Sequence, residues 1–459
     1  MCGIIGYTGG GNAVQKVIDG LASLEYRGYD SVGVGVRENG KTVIYKTVGR
    51  VKTLDDMIKK EGGITSSCVI GHTRWATHGA PSYENAHPHK VGAVTAVHNG
   101  IIENYAKIEE SLPESERVFA SQTDTEVAVA LINHYFAAGL SPLEAIRTAL
   151  SEIRGSYALG IIFDGVDDKI YIAKKDSPLI IGIAEDGTFL ASDITAILKY
   201  TKKYVAMSDG DVAELTPGGY KIFDASGEIV SREICEAEWD VEAAEKCGYE
   251  HFMLKEISEE PEALTRTLSP RIKDGKICFD YDKISDEYLK DVKRLFIVAC
   301  GTARHAGLMA KYYFERLCRI PVSVEVASEF RYSEPIINKD DTVMIISQSG
   351  ETADSLAALR LAKELGAHTL AVVNVFASSI AREADKVLYT YAGPEIAVAS
   401  TKAYTVQAAL LSSLAVRAAY AKGLIYETEL EKYTKSVYSS LPDAIAQVFS
   451  RRGEIEEIA

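Results

Sequence analysis

Apolar positions come in short alternating bursts along the first half of the chain and lengthen into continuous runs in the second. Ser31-Val-Gly-Val-Gly-Val36 and Thr42-Val-Ile-Tyr45 flank Glu38-Asn39-Gly40-Lys41, which predicts a β-hairpin closed by an Asn-Gly turn. Ser67–Gly71 and Val91–Val97 predict further short strands, each ending in polar residues. A helical apolar period runs over Glu126–Ala138. The next helix opens at Ser141-Pro142-Leu143-Glu144 with an N-cap serine, a first-turn proline and a capping-box glutamate. Ser156–Phe163, Lys169–Ala173 and Thr188–Ala191 return to strand.

From Arg294 the pattern changes. Leu295–Ala299 feeds into an amphipathic helix over Ala303–Leu317, Thr342–Ile346 into one over Thr352–Leu365, and Thr369–Val375 follows as a third buried strand. That alternation predicts a doubly wound α/β unit, a parallel sheet with helices on both faces. Between the halves, Cys235–Arg271 is charged and helix-forming and reads as a connector. The expected organisation is a first domain over 2–235, a linker over 236–288, an α/β domain over 289–428 and a helical segment over 429–459. No internal repeat is visible.

The 459 residues suffice for two or three domains with cores of their own. A net charge of -15 without a compensating Lys/Arg run argues against nucleic-acid and anionic-membrane partners. The seven cysteines are scattered, odd in number and free of C-x-x-C pairs, which fits a reducing cytoplasm. The N-terminus lacks the basic region and apolar stretch of a signal peptide. The most apolar helix, Thr405–Ala421, is interrupted by Gln407 and Arg417 and reads as a core helix, not a membrane span.

Chemistry starts at Cys2. If Met1 is removed, one residue carries both a thiol and an α-amino group, and an amine titrating near pH ~8 can accept a thiol proton at neutral pH. A cysteine at that position alone is more often an accident; its downstream company decides. Gly71-His72-Thr73-Arg74-Trp75-Ala76-Thr77-His78 follows one strand, His98-Asn99-Gly100 ends another, and Ser121-Gln122-Thr123-Asp124-Thr125-Glu126 opens a helix. Singly these read as a helix cap, a turn and surface or packed histidines (His78, His87, His89). The histidine spacing matches no zinc pattern, and neither metal nor cofactor is expected. Together they supply what amide hydrolysis by a thiol needs: a nucleophile, oxyanion donors and opposite charges for a zwitterionic substrate.

Cys2-Gly-Ile-Ile-Gly6, Leu24-Glu-Tyr-Arg-Gly-Tyr-Asp-Ser31 and the three strings above resemble the glutamine-amidotransferase domain of the N-terminal nucleophile hydrolases. More narrowly, they resemble the glutamine–fructose-6-phosphate aminotransferase family. The resemblance implies a four-layer αββα domain in which Cys2 attacks the glutamine side-chain amide. Asn99 and the N–H of Gly100 would form the oxyanion hole. Arg74 would grip the α-carboxylate, Asp124 would accept from the α-ammonium, Thr77 and His78 would line the pocket, and Trp75 would gate ammonia. Arg27 would support the nucleophile loop or serve in a structural ion pair.

A second constellation lies in Ser347-Gln348-Ser349-Gly350-Glu351-Thr352, where a buried strand ends in hydroxyls and glycine before a helix. Such a loop makes a phosphate site without lysine, or simply a capped helix after a tight turn. Val298-Ala-Cys-Gly-Thr302 gives the same geometry at a neighbouring strand end, where ligands of open α/β sheets gather. Neither loop fits a dinucleotide or P-loop pattern. With Glu325–Tyr332 and Ala397–Tyr404, these strings resemble the sugar-isomerase (SIS) module of the same family. By that resemblance Ser347, Gln348, Ser349 and Thr352 would hold a sugar 6-phosphate, with Thr302 and Val398 facing the sugar.

The chain departs from the family where Ala303 replaces a frequent serine. The family also carries a second SIS module and a C-terminal tail, which supply the acid–base groups and Schiff-base lysine for isomerisation. No residue here inherits those roles, Lys402 included, and 429–459 reads as the approach to that second module. The expected substrates are L-glutamine and fructose 6-phosphate, and the expected state is a cytoplasmic homodimer. A purine-pathway amidotransferase is disfavoured by the absence of an acidic-pair phosphoribosyl pyrophosphate loop. A sugar-phosphate-binding regulatory protein and a stand-alone glutaminase remain as alternatives.

Overall fold

The computed structural model describes residues 2–25, 28–60, 62–75, 79–237 and 247–458. The chain divides into two compact units, 1–244 and 245–459.

Two antiparallel sheets form the centre of the first unit. The eight-stranded sheet runs, edge to edge, Ile234–Glu236, Lys203–Ala206, Ile180–Ala184, Gly187–Ala191, Gly3–Gly9, Cys68–Arg74, Ser31–Glu38, Lys41–Val48. The seven-stranded sheet runs Ile229–Val230, Gly219–Phe223, Val212–Thr216, Ile170–Lys175, Gly155–Phe163, Val94–Ile102, His89–Val91. Side-chain alternation makes four layers of them. Ile4, Ile70, Val97, Ala158 and Ile162 point into a core shared by the two sheets. Their neighbours Ile5 and Val69 point outward onto the helices Ala13–Leu24 and Val51–Lys60. Ala96, Leu159 and Ile161 likewise pack against Asp124–Ala137 and Pro142–Glu152. Each sheet is thus buried on both faces, one against the other sheet and one against helices. This is the four-layer αββα arrangement that the resemblance leads one to expect.

Most elements follow their sequence signals. The hairpin Ser31–Glu38/Lys41–Val48 turns at Asn39 and Gly40, both at positive φ, with Glu38 opposite Lys41. Ser141 and Glu144 form the reciprocal capping box. One expected strand, Val91–Val97, is instead a hairpin. Gly92 adopts φ +56° and a Cβ there would lie 2.3 Å from Asn133 Oδ1, so the chain folds back between His89–Val91 and Val94–Ile102.

The second unit carries a five-stranded parallel sheet in the order Val322–Val326, Leu295–Ala299, Thr342–Ser347, His368–Val373, Lys386–Tyr389. Leu295 and Ile297 face the helices Gly301–Tyr313 and Lys402–Ala421, while Phe296 and Val298 face Ala353–Glu364. The sheet is therefore wound on both faces, as its pattern predicts. Its two edge strands carried no clear sequence signal.

Much of the stretch read as a linker is folded structure of this second unit. Helices Phe252–Ser258 and Glu260–Leu268 occupy it, and Ala263 and Leu264 pack on Ala392, Val406 and Ala409. Arg271, fully buried, pairs with Asp282 at 2.7 and 2.8 Å and donates to Tyr389 O at 2.7 Å and to Thr267 O. Charged composition suggested a solvated connector, but the apolar stripe of one helix and the pairing of this one arginine outweigh it. Among the described residues, no helix is long and apolar enough to cross a membrane.

Candidate active site

Cys2 precedes the strand Gly3–Gly9, and the pairing of Gly3 with Thr73 sets it beside Arg74, the last residue of Cys68–Arg74. Asn99 and Gly100 lie in Val94–Ile102 of the opposing sheet, and Asp124 is the first residue of the helix capped by Thr123. These elements end on one side of the sandwich. Cys2, Arg74, Trp75, Asn99, Gly100 and Asp124 line one cleft together with His87, His98, Thr123 and Thr125. The expected pocket residues Thr77 and His78, and Arg27, lie outside the described residues.

The N–H of Trp75 donates to Cys2 Sγ at 3.2 Å. Burial pushes the thiol pKa up, opposed by that N–H and by the Arg74 charge. A thiol so placed holds its proton at neutral pH and needs a base. Arg74 is buried and donates to Gly79 O at 3.3 Å and Ala80 O at 3.4 Å. Asn99 Nδ2 donates to Cys2 O at 3.1 Å, and Asp124 Oδ2 accepts the N–H of Ile102 at 2.7 Å. Glu126 accepts from the N–H groups of Ala120 and Ser121 at 3.0 and 2.6 Å, which fixes the loop ahead of Asp124. A nucleophile, amide donors, a guanidinium and a carboxylate in one cleft can hold a zwitterion and polarise an amide on it.

Four histidines, His72, His87, His89 and His98, pack against this cleft; sequence reading offered His87 and His89 as packed or surface residues but not their association with His72 and His98. His72 stacks on His87 at 4.2 Å between ring centroids, and His87 meets His89 edge-on at 4.6 Å. Thr125 Oγ1 lies 3.0 Å from His87 Nε2 and 2.9 Å from His98 Nδ1, and Thr123 Oγ1 lies 3.1 Å from His89 Nε2. For His72 and His98, polar positions within otherwise apolar strands were the only signal; His87 lies outside the strands and carried none. Among the described residues, no group of His, Cys, Asp and Glu could hold a metal ion.

Burial lowers the pKa of all four rings, to about 3 for His72 and His89. In the unfolded chain each titrates near ~6.5, so between those values the unfolded state binds the extra proton. The stability these rings allow is complete above about pH 6.5 and drains away as pH falls towards 3. The loss is at most about 1.4 kcal/mol per histidine per pH unit. Calorimetry across that window is expected to show the first unit's melting temperature dropping steeply with acid; a flat profile would contradict neutral, desolvated rings.

In the second unit, the strand Thr342–Ser347 ends beside Leu295–Ala299, with Ile346 opposite Ala299. The loop that follows is polar and internally bonded. Ser347 Oγ lies 3.0 Å from Thr352 Oγ1 and accepts the N–H of Gly350 at 3.0 Å, and Ser349 Oγ accepts that of Glu351 at 3.2 Å. Gly350 has φ +66°, and a Cβ would lie 2.0 Å from Ser378 Oγ, so only glycine fits. Thr302 sits in the first turn of Gly301–Tyr313. Val398 is 69% exposed, in a segment whose Ile396 and Ala397 N–H groups donate to Glu256. Asn374 ties that segment to the loop after Thr342–Ser347: its N–H donates to Gln348 O at 3.0 Å and its Nδ2 to Gly393 O at 2.8 Å.

Comparison with known proteins agrees with this division. Residues 75–199 match the glutamine amidotransferase domain and residues 288–417 the SIS domain. A glutamine–fructose-6-phosphate aminotransferase (isomerizing) of Clostridium tetani is 49% identical over 96% of this chain and 73% of its own length. That of Clostridium acetobutylicum is 47% identical over 100% of this chain and 75% of its own. That of Methanosarcina mazei is 43% identical, covering 100% and 76%.

Proposed function

This chain belongs to the glutamine–fructose-6-phosphate aminotransferase (isomerizing) family, and from that premise we propose that Cys2 releases ammonia from glutamine to aminate a sugar phosphate. The overall conversion is fructose 6-phosphate and glutamine to glucosamine 6-phosphate and glutamate. The observation that carries the reading is the convergence of Cys2, Arg74, Asn99, Gly100 and Asp124 on one cleft.

In the proposed chemistry, a processed N-terminal amine takes the Cys2 proton and the sulfur attacks the glutamine amide carbon. Asn99 Nδ2 and the N–H of Gly100 receive the oxyanion as it forms. Collapse of the tetrahedral intermediate breaks the C–N bond, the amine returns its proton to the nitrogen, and ammonia leaves. Water then hydrolyses the thioester to glutamate. Arg74 and Asp124 hold the α-carboxylate and α-ammonium throughout. Thr77 and His78 belong to the same pocket in this reading, with Trp75 over the ammonia exit. In the second unit, Ser347, Gln348, Ser349 and Thr352 take the 6-phosphate, with Thr302 and Val398 against the sugar. A cytoplasmic homodimer completes the reading.

Glutamine labelled with 15N in its side-chain amide tests both halves. Glutamate should form with or without fructose 6-phosphate, and label should appear in glucosamine 6-phosphate when the sugar is present. No glutamate release by folded protein would sink the glutaminase assignment; release without labelled amino sugar would confine the activity to the first unit.

A further inference from the structure

An asparagine amide can present either of two ends to a cleft, and only the nitrogen end stabilises an oxyanion. His72 lies on Cys68–Arg74 with the parity of Cys68 and Ile70, so it projects into the layer between the sheets. Asn99 has the parity of Val97 and projects into the same layer from the other sheet. They meet there, His72 Nε2 lying 3.0 Å from Asn99 Oδ1 and 3.1 Å from His98 O. A backbone carbonyl can only accept, so Nε2 carries the proton and the Asn99 atom facing it must be the oxygen. The far end agrees: Asn99 Nδ2 lies 3.1 Å from Cys2 O, another obligate acceptor. Among the described residues nothing hydrogen-bonds to His72 Nδ1, so no acceptor there competes for the ring proton. Stacking on His87 holds the ring plane.

We propose that His72 is the positioning residue of the oxyanion hole: its Nε2–H holds the Asn99 carbonyl inward so that Nδ2 faces the developing oxyanion. The inference rests on the glutaminase reading above and deepens it. Without the donor, the amide is free to turn its oxygen toward the oxyanion, which repels the charge the site must stabilise.

Two measurements on the whole chain test it. With 15N-labelled histidine, long-range 15N–1H correlation at neutral pH should show His72 as the Nε2–H tautomer, assigned by the signal lost in His72→Gln; a proton on Nδ1 overturns the proposal. In glutamine hydrolysis, His72→Met, which fills the space without an N–H, should lower kcat by about ten- to a hundredfold with KM within about threefold. His72→Gln, which restores an N–H at similar reach, should recover most of the loss. Equal losses in both variants, a KM effect with kcat kept, or an undiminished His72→Met each point to mere packing and overturn it. If His72→Met does not fold, the wild-type tautomer decides. Failure of the glutaminase reading looks different: wild type then releases no glutamate, or Cys2→Ala releases as much.

Discussion

Cys2→Ala is expected to abolish glutamine hydrolysis, with a loss of at least about 10⁴-fold in kcat, while the chain stays folded. Removing the sulfur deletes the only atom in the cleft placed to form a thioester in this reading. Structurally the change is small, since Sγ bonds only the backbone of Trp75, accepting its N–H at 3.2 Å and donating to its carbonyl at 3.6 Å, and fills little of the core. Circular dichroism should therefore match wild type while glutamate release falls to background. Burial of the thiol sharpens the expectation: with its pKa raised, it depends on a base, and the covalently attached amine is the group the proposal names. One alanine inserted between Met1 and Cys2 should act nearly as severely, because it keeps the sulfur and takes away the amine. Full activity in either variant would exclude the proposed nucleophile and base.

Asn99→Ala is expected to lower kcat for glutamine hydrolysis by about 10²–10³-fold with a much smaller change in KM. The split follows from when the contact forms. A donor aimed at the oxyanion meets full negative charge only in the transition state, whereas in the proposed reading Arg74 and Asp124 contact the substrate in both states. Gly100 keeps its N–H, so the loss stays short of that from removing the sulfur. Asn99→Asp, nearly isosteric but negative, should be at least as damaging, since it places like charge beside the developing oxyanion. Steady-state glutamate release distinguishes the outcomes: a rise in KM with kcat held would make Asn99 a binding group instead.

Sequence pattern carried much of the fold because local and tertiary preferences agree there. Asn39-Gly40 turns where its conformational preference says it should, and Ser141 with Glu144 caps where the spacing says it should. The six cleft residues were legible for a different reason: they fall in short strings, such as Gly71–His78 and His98–Gly100, whose polar residues stand out against apolar runs, although Asn99 and Gly100 lie within the strand Val94–Ile102 and do not end it. His72 did not stand out. Its importance lies in which atom of a distant asparagine it faces, 27 residues along the chain and on the other sheet. Gly92 hid in a β-rich run because the turn is held by Asn133, whose Oδ1 accepts the N–H of Ala93, 40 residues back, and leaves no room for a side chain at Gly92. The stretch from Phe252 was misjudged because charge was weighed over period, although Ala263, Leu264 and Leu268 repeat on one helical face.

That folded stretch bears on how the sugar-phosphate half can be studied alone. A truncation beginning at Leu295, where the parallel sheet starts, discards Arg271 and Asp282 and strips the helix that shields Ala392, Val406 and Ala409. The fragment would display that apolar patch to solvent and leave Tyr389 O without its guanidinium donor. A soluble, independently folding version has to start upstream of Phe252 and carry both helices with it.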